Sequence, residues 1–225
     1  MPTTLKWAGC NIYWDGQKLA FDDVDDKTHE KYQGVYFKWG SLVAIAPQVE
    51  TVVLYAPSGE KYSNYDDIPC VDNEDRVQQP NSLSHLLNRH DPNRDIGDIC
   101  KYMTDKGWAP GSAEGKCWRM PTLNEFGLAE EYTFEINSAI KGSDPNGTLV
   151  VESGVLRDGN RFPITGAKYE SFLEKQDAGY YWSGSAYSYI GGVYRSGSLL
   201  ARSGILRDAA VPEKAMPVRC VVATD

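Results

Sequence analysis

The chain has 225 residues, 41% hydrophobic, 12% aromatic and 24% charged, with 21 Gly and 12 Pro; this composition excludes a disordered tail and fits a turn-rich globular protein able to bury a core. A formal charge of -8 argues against nucleic acid as a partner, because such affinity rests on clustered Lys and Arg that release counterions from phosphates. No stretch approaches the ~20 apolar residues that a membrane-spanning helix requires, and Met1-Pro2-Thr3-Thr4 lacks the basic-then-apolar pattern of a signal peptide, so the chain is read as cytosolic or as lacking its export segment.

In chain order, the first expected element is a hairpin over 10–21, where aromatic and β-branched residues flank Asp15-Gly16, a pair that favours a two-residue turn with positive φ. Segments 34–45 and 52–56 read as short, mostly buried strands stopped by Gly and Pro. Residues 58 to 94 are polar and turn-rich and read as a long ordered loop with one short helix near Ser82 to Leu87. The first full helix is expected after Asp95, with Ile96, Ile99, Cys100 and Met103 on one face and Cys100 turned to the core. A second is announced by Thr122 as N-cap with Glu125 three residues on, a capping box. Beyond it come hairpin-like segments at 149–156, 160–165, 180–185, 193–200, 204–206 and 218–223. Two helices followed by a run of strands predict an α+β fold of one domain, 1–225, in which 1–94 supplies strands and a loop insertion and 95–225 supplies the helices and C-terminal strands.

Ser153-Gly154-Val155-Leu156-Arg157-Asp158 recurs as Ser203-Gly204-Ile205-Leu206-Arg207-Asp208, and two copies are too few for a solenoid. The five cysteines, Cys10, Cys70, Cys100, Cys117 and Cys220, form no Cys-x-x-Cys pair and stand near no His at zinc-ligand spacing. Composition alone leaves open whether they are buried small hydrophobes or partners in disulfides.

Three motifs stand in order: Gly97-Asp98-Ile99-Cys100, then Trp118-Arg119-Met120-Pro121-Thr122-Leu123-Asn124-Glu125-Phe126, then Gly179-Tyr180-Tyr181-Trp182-Ser183-Gly184-Ser185 with a terminal Pro217-Val218-Arg219-Cys220-Val221. Together they resemble the major paralogous domain first described from Fibrobacter succinogenes, and the segments around Asp15-Gly16 and 32–43 look like its longer, fimbrillin-associated versions in the Bacteroidetes. The resemblance implies a C-type-lectin-like fold of two helices packed on short antiparallel strands with long irregular loops, stapled by a disulfide between a helix near the domain's start and the last strand. Cys100 and Cys220 match those positions. A further bridge would be particular to this chain, with Cys10 to Cys117 the expected pair. The staple in turn implies an oxidising compartment, hence an extracellular or outer-surface location.

Catalysis finds little support. The formylglycine-generating enzymes, of similar fold, are resembled at Arg119-Met120-Pro121-Thr122 and Glu125, but they need two nearby late cysteines, and Cys220 is the only Cys after Cys117. His29, His85 and His90 neighbour no evident nucleophile. The acidic run 22–26 lacks the glycine and spaced ligands of a calcium loop, and Asp144-Pro145-Asn146 reads as a β-turn. No metal, cofactor or catalytic residue is expected.

Segment 186–208 is rich in Tyr, Ser, Gly and Arg, the mixture of binding surfaces in which Tyr gives rigid contact area and Ser and Gly give adaptable polar contacts; an ordinary edge hairpin has the same composition. The expected contact residues are Tyr187, Tyr189, Tyr194, Arg195, Arg202 and Arg207, with Trp182 and Arg219 holding core and strand register. The function expected is a secreted or surface-displayed, non-enzymatic recognition or adhesion module for a protein or glycan ligand on a host or neighbouring cell. The alternatives are a structural pilus or surface-assembly subunit joined to its neighbours by strand addition, a retroelement-diversified variable protein, and a phage receptor-binding protein.

Overall fold

The computed structural model describes residues 4–23, 34–71, 88–126, 140–143, 149–151, 154–157, 160–163, 167–170, 172–173, 179–190, 193–201 and 205–224. Strands dominate. Among the described residues, helix is confined to α1, Ile99–Asp105, and to one turn, α2, Leu123–Phe126. The α+β expectation, two helices packed on short strands in the C-type-lectin manner, is therefore corrected to a small β-rich fold. The Thr122 and Glu125 capping box marks a real helix start, but a cap sets where a helix begins and says nothing of its length. α1 stops after seven residues, with Lys106 as C-cap and Gly107 beyond it in the left-handed region at φ 71. Ile96 is corrected too: it belongs to strand Ile96–Gly97, paired with His90–Asp91, and Asp98 caps the helix by accepting from Lys101 N.

Strand Thr4–Trp7 pairs antiparallel with Val221–Thr224, and Arg119 exchanges two 2.9 Å backbone bonds with Val221 on the other side. The hairpin around Asp15-Gly16 forms as Tyr13–Trp14 against Leu19–Ala20, but with Trp14 opposite Leu19 its loop has four residues instead of two. The reason is the Asp15 carboxylate, which accepts from the backbone N–H of both Gln17 and Lys18 at 2.8 Å. Ala44–Ile45 pairs with Val53–Tyr55. A four-stranded sheet runs in the order Phe172–Leu173, Lys168–Tyr169, Ala215–Met216, Phe37–Lys38.

The hexapeptide repeat ends in two different settings. Gly154–Arg157 forms a hairpin with Asn160–Pro163, whereas Ile205–Ala210 is the third strand of a meander with Gly179–Ile190 and Val193–Ala201. The expected strand 149–156 is divided, since Leu149–Val151 pairs instead with Ile140–Ser143.

One apolar cluster draws Cys10 and Ile12, Phe37 and Trp39, Ile99, Cys100, Tyr102 and Met103, Trp118, Trp182 and Cys220 together. Cys100 and Cys220 are joined by a disulfide across 120 residues of sequence. The expected Cys10 to Cys117 bridge does not form: Cys10 is buried, Cys117 is exposed, and both are thiols. Cys10 Sγ instead accepts from Asp22 N at 3.3 Å. The expected helix near Ser82 to Leu87, the turn at Asp144-Pro145-Asn146, His29, His85 and Arg202 lie outside the described residues.

Candidate recognition surface

The meander carrying the Tyr- and Arg-rich segment is fastened at one end. Trp182 and Trp39 are fully buried or nearly so, and each indole N–H donates to the other's neighbourhood: Trp182 Nε1 to Phe37 O and Trp39 Nε1 to Ser183 O, both at 2.8 Å. Backbone ties add to this pair. Trp182 N donates to Pro217 O, Gly184 N to Pro121 O, and Leu123 N to Ser185 Oγ. α2 lies against all three strands here. Each neutral bond contributes about 1 kcal/mol net, while a buried donor left unmet costs more, so the root of the meander is held by several ties at once.

α2 begins with the capping box read from sequence. Thr122 N donates to Glu125 Oε2 at 2.7 Å and Glu125 N to Thr122 Oγ1 at 3.2 Å. Glu125 also takes a two-pronged bond from Arg119, at 2.8 and 2.6 Å. Burial pushes the Glu125 carboxyl up, but Arg119 and the Thr122 bonds together hold it below the usual range.

A second anchor is Asp98. Its buried carboxylate accepts from the N–H of Asn88, Lys101 and Met120, joining the segment before α1, α1 itself and the strand-like run that leads to α2. Burial raises its pKa to about 6, against the pull of those N–H donors toward the charged form. Asp95 plays a similar part nearby: buried and at φ 54, it accepts from Ser58 N and from the hydroxyls of Ser58 and Tyr62. Tyr62 is pushed up to about 12, first by burial and then by Asp95.

Outward from the root, strand pairing changes character. Between Trp182 opposite Ser198 and Ser188 opposite Arg195 the register shifts twice, around Ala186. Such bulges bend a strand and re-aim its residues. Beyond them Ser188 stands opposite Arg195 and Tyr189 opposite Tyr194, with Tyr187 at the irregular step. Four of the expected contact residues, Tyr187, Tyr189, Tyr194 and Arg195, therefore share the outer end. Arg207 stands apart, in the register row of Leu199 and Tyr181, and Tyr181 is fully buried. Trp182 and Arg219, expected to hold core and register, are both fully buried, and Arg219 Nη1 donates to Asn11 Oδ1 at 3.3 Å.

Sequence reading missed a cleft of about 490 Å³ beside Phe37–Lys38 that holds Lys38 and Cys70. In the sequence Lys38 is one residue in a mostly apolar run, 34–45. A charged residue in an otherwise apolar run was the available signal, since lysine is almost never fully buried without a partner. Compared with family models, with curated proteins and with solved structures, the chain finds no match.

Proposed function

We propose that the protein is a non-enzymatic recognition module that binds a protein or glycan ligand, on a host or neighbouring cell, through the outer end of the meander. The observation that carries this reading is the contrast along one sheet: a root locked by Trp39 and Trp182, then two register shifts, then Tyr189 opposite Tyr194 and Ser188 opposite Arg195. A rigid base with an irregular, Tyr-, Ser- and Arg-bearing end suits binding, because an anchored surface loses little entropy on association. The Cys100–Cys220 disulfide supports an extracellular or outer-surface location. The three ordered motifs support kinship with the fimbrillin-associated surface domains, without the helical architecture that kinship had implied.

The test is a glycan and protein array probed with the wild-type chain and with a Tyr189→Ser, Arg195→Ser variant. A ligand that the wild type binds and the variant loses by tenfold or more, at unchanged melting temperature, supports the reading. Equal binding by both sinks it.

A further inference from the structure

Strand Val53–Tyr55 and the turn that follows it border another cleft, of about 360 Å³. Its lining is of two kinds: Leu54, Tyr55 and Tyr62, which are half-buried, and Glu60 and Lys61, which are exposed. The volume lies near the lower end of the ~300–1,000 Å³ of small-molecule sites, which suits a compact ligand better than a protein surface.

The cleft is held in shape before any ligand arrives. Gly59 N donates to Ala56 O and Glu60 N to Ser58 Oγ, both at 3.1 Å, while Ser58 donates from its N–H and its hydroxyl to the buried Asp95 carboxylate. Tyr62 adds a 2.7 Å bond from its hydroxyl to the same carboxylate. Asp95 stands at φ 54, a left-handed conformation uncommon outside glycine, and such conformations gather at ligand clamps. Tyr55 is fixed too: its hydroxyl shares a 2.5 Å bond with that of Tyr102, and its ring centre lies 6.3 Å from that of Trp14 and 5.5 Å from that of Trp108.

What these side chains offer a ligand follows from what they have already used. The hydroxyls of Tyr55 and Tyr62 are engaged with protein partners, so the two rings give the cleft mainly carbon surface. An aromatic ring has a negative face, which attracts the slightly positive hydrogens of carbons that bear oxygen. Among the described residues, Glu60 and Lys61 form no ion pair. Their carboxylate accepts, their ammonium donates, and their charges oppose each other, so the rim favours neither cations nor anions. Ring carbon beside a donor and an acceptor, without net charge, is the complement of an uncharged sugar, which has C–H groups on its face and hydroxyls around its edge.

We propose that this cleft is a carbohydrate site that takes one neutral pyranose ring, seated on Tyr55 and Tyr62 with its hydroxyls shared between Glu60 and Lys61. Because rings and turn are already tied, little freedom is lost on binding. The site is separate from the outer end of the meander and stands independently of the reading given above for that surface.

The experiment titrates the full chain, by ligand-observed NMR, with the neutral methyl glycosides of glucose, galactose, mannose, fucose and N-acetylglucosamine, both anomers of each. At least one binds with a dissociation constant of about 1 mM or tighter. Tyr62→Ala and Glu60→Ala each weaken that binding roughly fivefold, whereas Tyr62→Phe, which keeps the ring, weakens it by under roughly twofold. The Tyr189→Ser, Arg195→Ser variant binds the glycoside as the wild type does, so failure of this site and failure of the meander reading are told apart. Absence of binding by every glycoside up to about 20 mM, binding unchanged by Glu60→Ala, or a loss in Tyr62→Phe equal to that in Tyr62→Ala overturns the proposal. Glu60→Ala, at an exposed position, is decisive even where Tyr62→Ala fails to fold.

Discussion

The two ends of the meander are built on different physics, although they share the same strands. At the root, besides strand pairing, several ties reach residues more than 50 positions away: Trp39 to Ser183, Trp182 to Phe37, Leu123 to Ser185. At the outer end the strand pairing joins residues close in sequence, such as Tyr189 and Tyr194, and passes through two register shifts. Long-range buried ties are lost only when the molecule opens as a whole, whereas local strand pairs can yield singly. The difference teaches where this chain tolerates change: substitutions at the root should be read in stability and those at the outer end in binding.

The harshest challenge to that division is removal of the staple. A disulfide across 120 residues stabilises by about 4 to 5 kcal/mol in the chain-entropy picture. Replacing Cys100 and Cys220 together by Ala should lower the denaturation midpoint by a matching amount, measured by urea titration under non-reducing conditions. A loss under about 1 kcal/mol would mean that the root does not depend on the staple.

Asp98 comes next. Asp98→Ala leaves the N–H groups of Asn88, Lys101 and Met120 without their acceptor, a loss of about 3 kcal/mol over the three bonds. The same residue sets a pH dependence. Its folded pKa, about 6, lies above the ordinary 3.8, so between those values the folded chain holds a proton that the unfolded chain has released. Its contribution to stability is full below about pH 4 and is lost as pH rises through 6, by up to about 3 kcal/mol. Asp98→Asn should flatten the pH 4 to 7 limb of the stability curve; an unchanged limb assigns it to other groups. Smaller again is Glu125→Ala, which removes half of the capping box and the partner of Arg119. At this half-buried site about 1 to 2 kcal/mol is expected from thermal melts.

Several local features were legible in the sequence because they are local. The Thr122 and Glu125 box, the turn at Gly16 and the apolar spacing of Ile99, Cys100 and Met103 each depend on neighbours within four residues. The fold class was not: a capping box gives where a helix begins and not its length, and α1 ends within two turns at Lys106 and Gly107. The pairing of Thr4–Trp7 with Val221–Thr224 joins segments that carry no mutual signal in sequence. Lys168 shows the same limit: it is a solvent-friendly residue in an unremarkable segment, yet it is fully buried with its ammonium on the carbonyls of Gln48, Val49 and Glu50. Among the candidate contacts, Tyr187, Tyr189, Tyr194 and Arg195 were grouped with Arg207 by composition, which is blind to register. Only the row shared with buried Tyr181 separates them.

The smallest effect on stability should come from the outer end, where the prediction is two-sided. Tyr189→Ser with Tyr194→Ser removes a cross-strand aromatic pair, worth about 0.2 to 1 kcal/mol, and a shift of at most a few degrees in the melting temperature follows. Arg207→Ser, in the row of Tyr181, should shift the melt by at least as much while leaving ligand binding near the wild-type level. If the tyrosine pair instead melts the protein and Arg207→Ser abolishes binding, root and outer end have been assigned the wrong way round. The same two variants therefore test the division from both sides, because a merely structural meander would lose stability in both and binding in neither selectively.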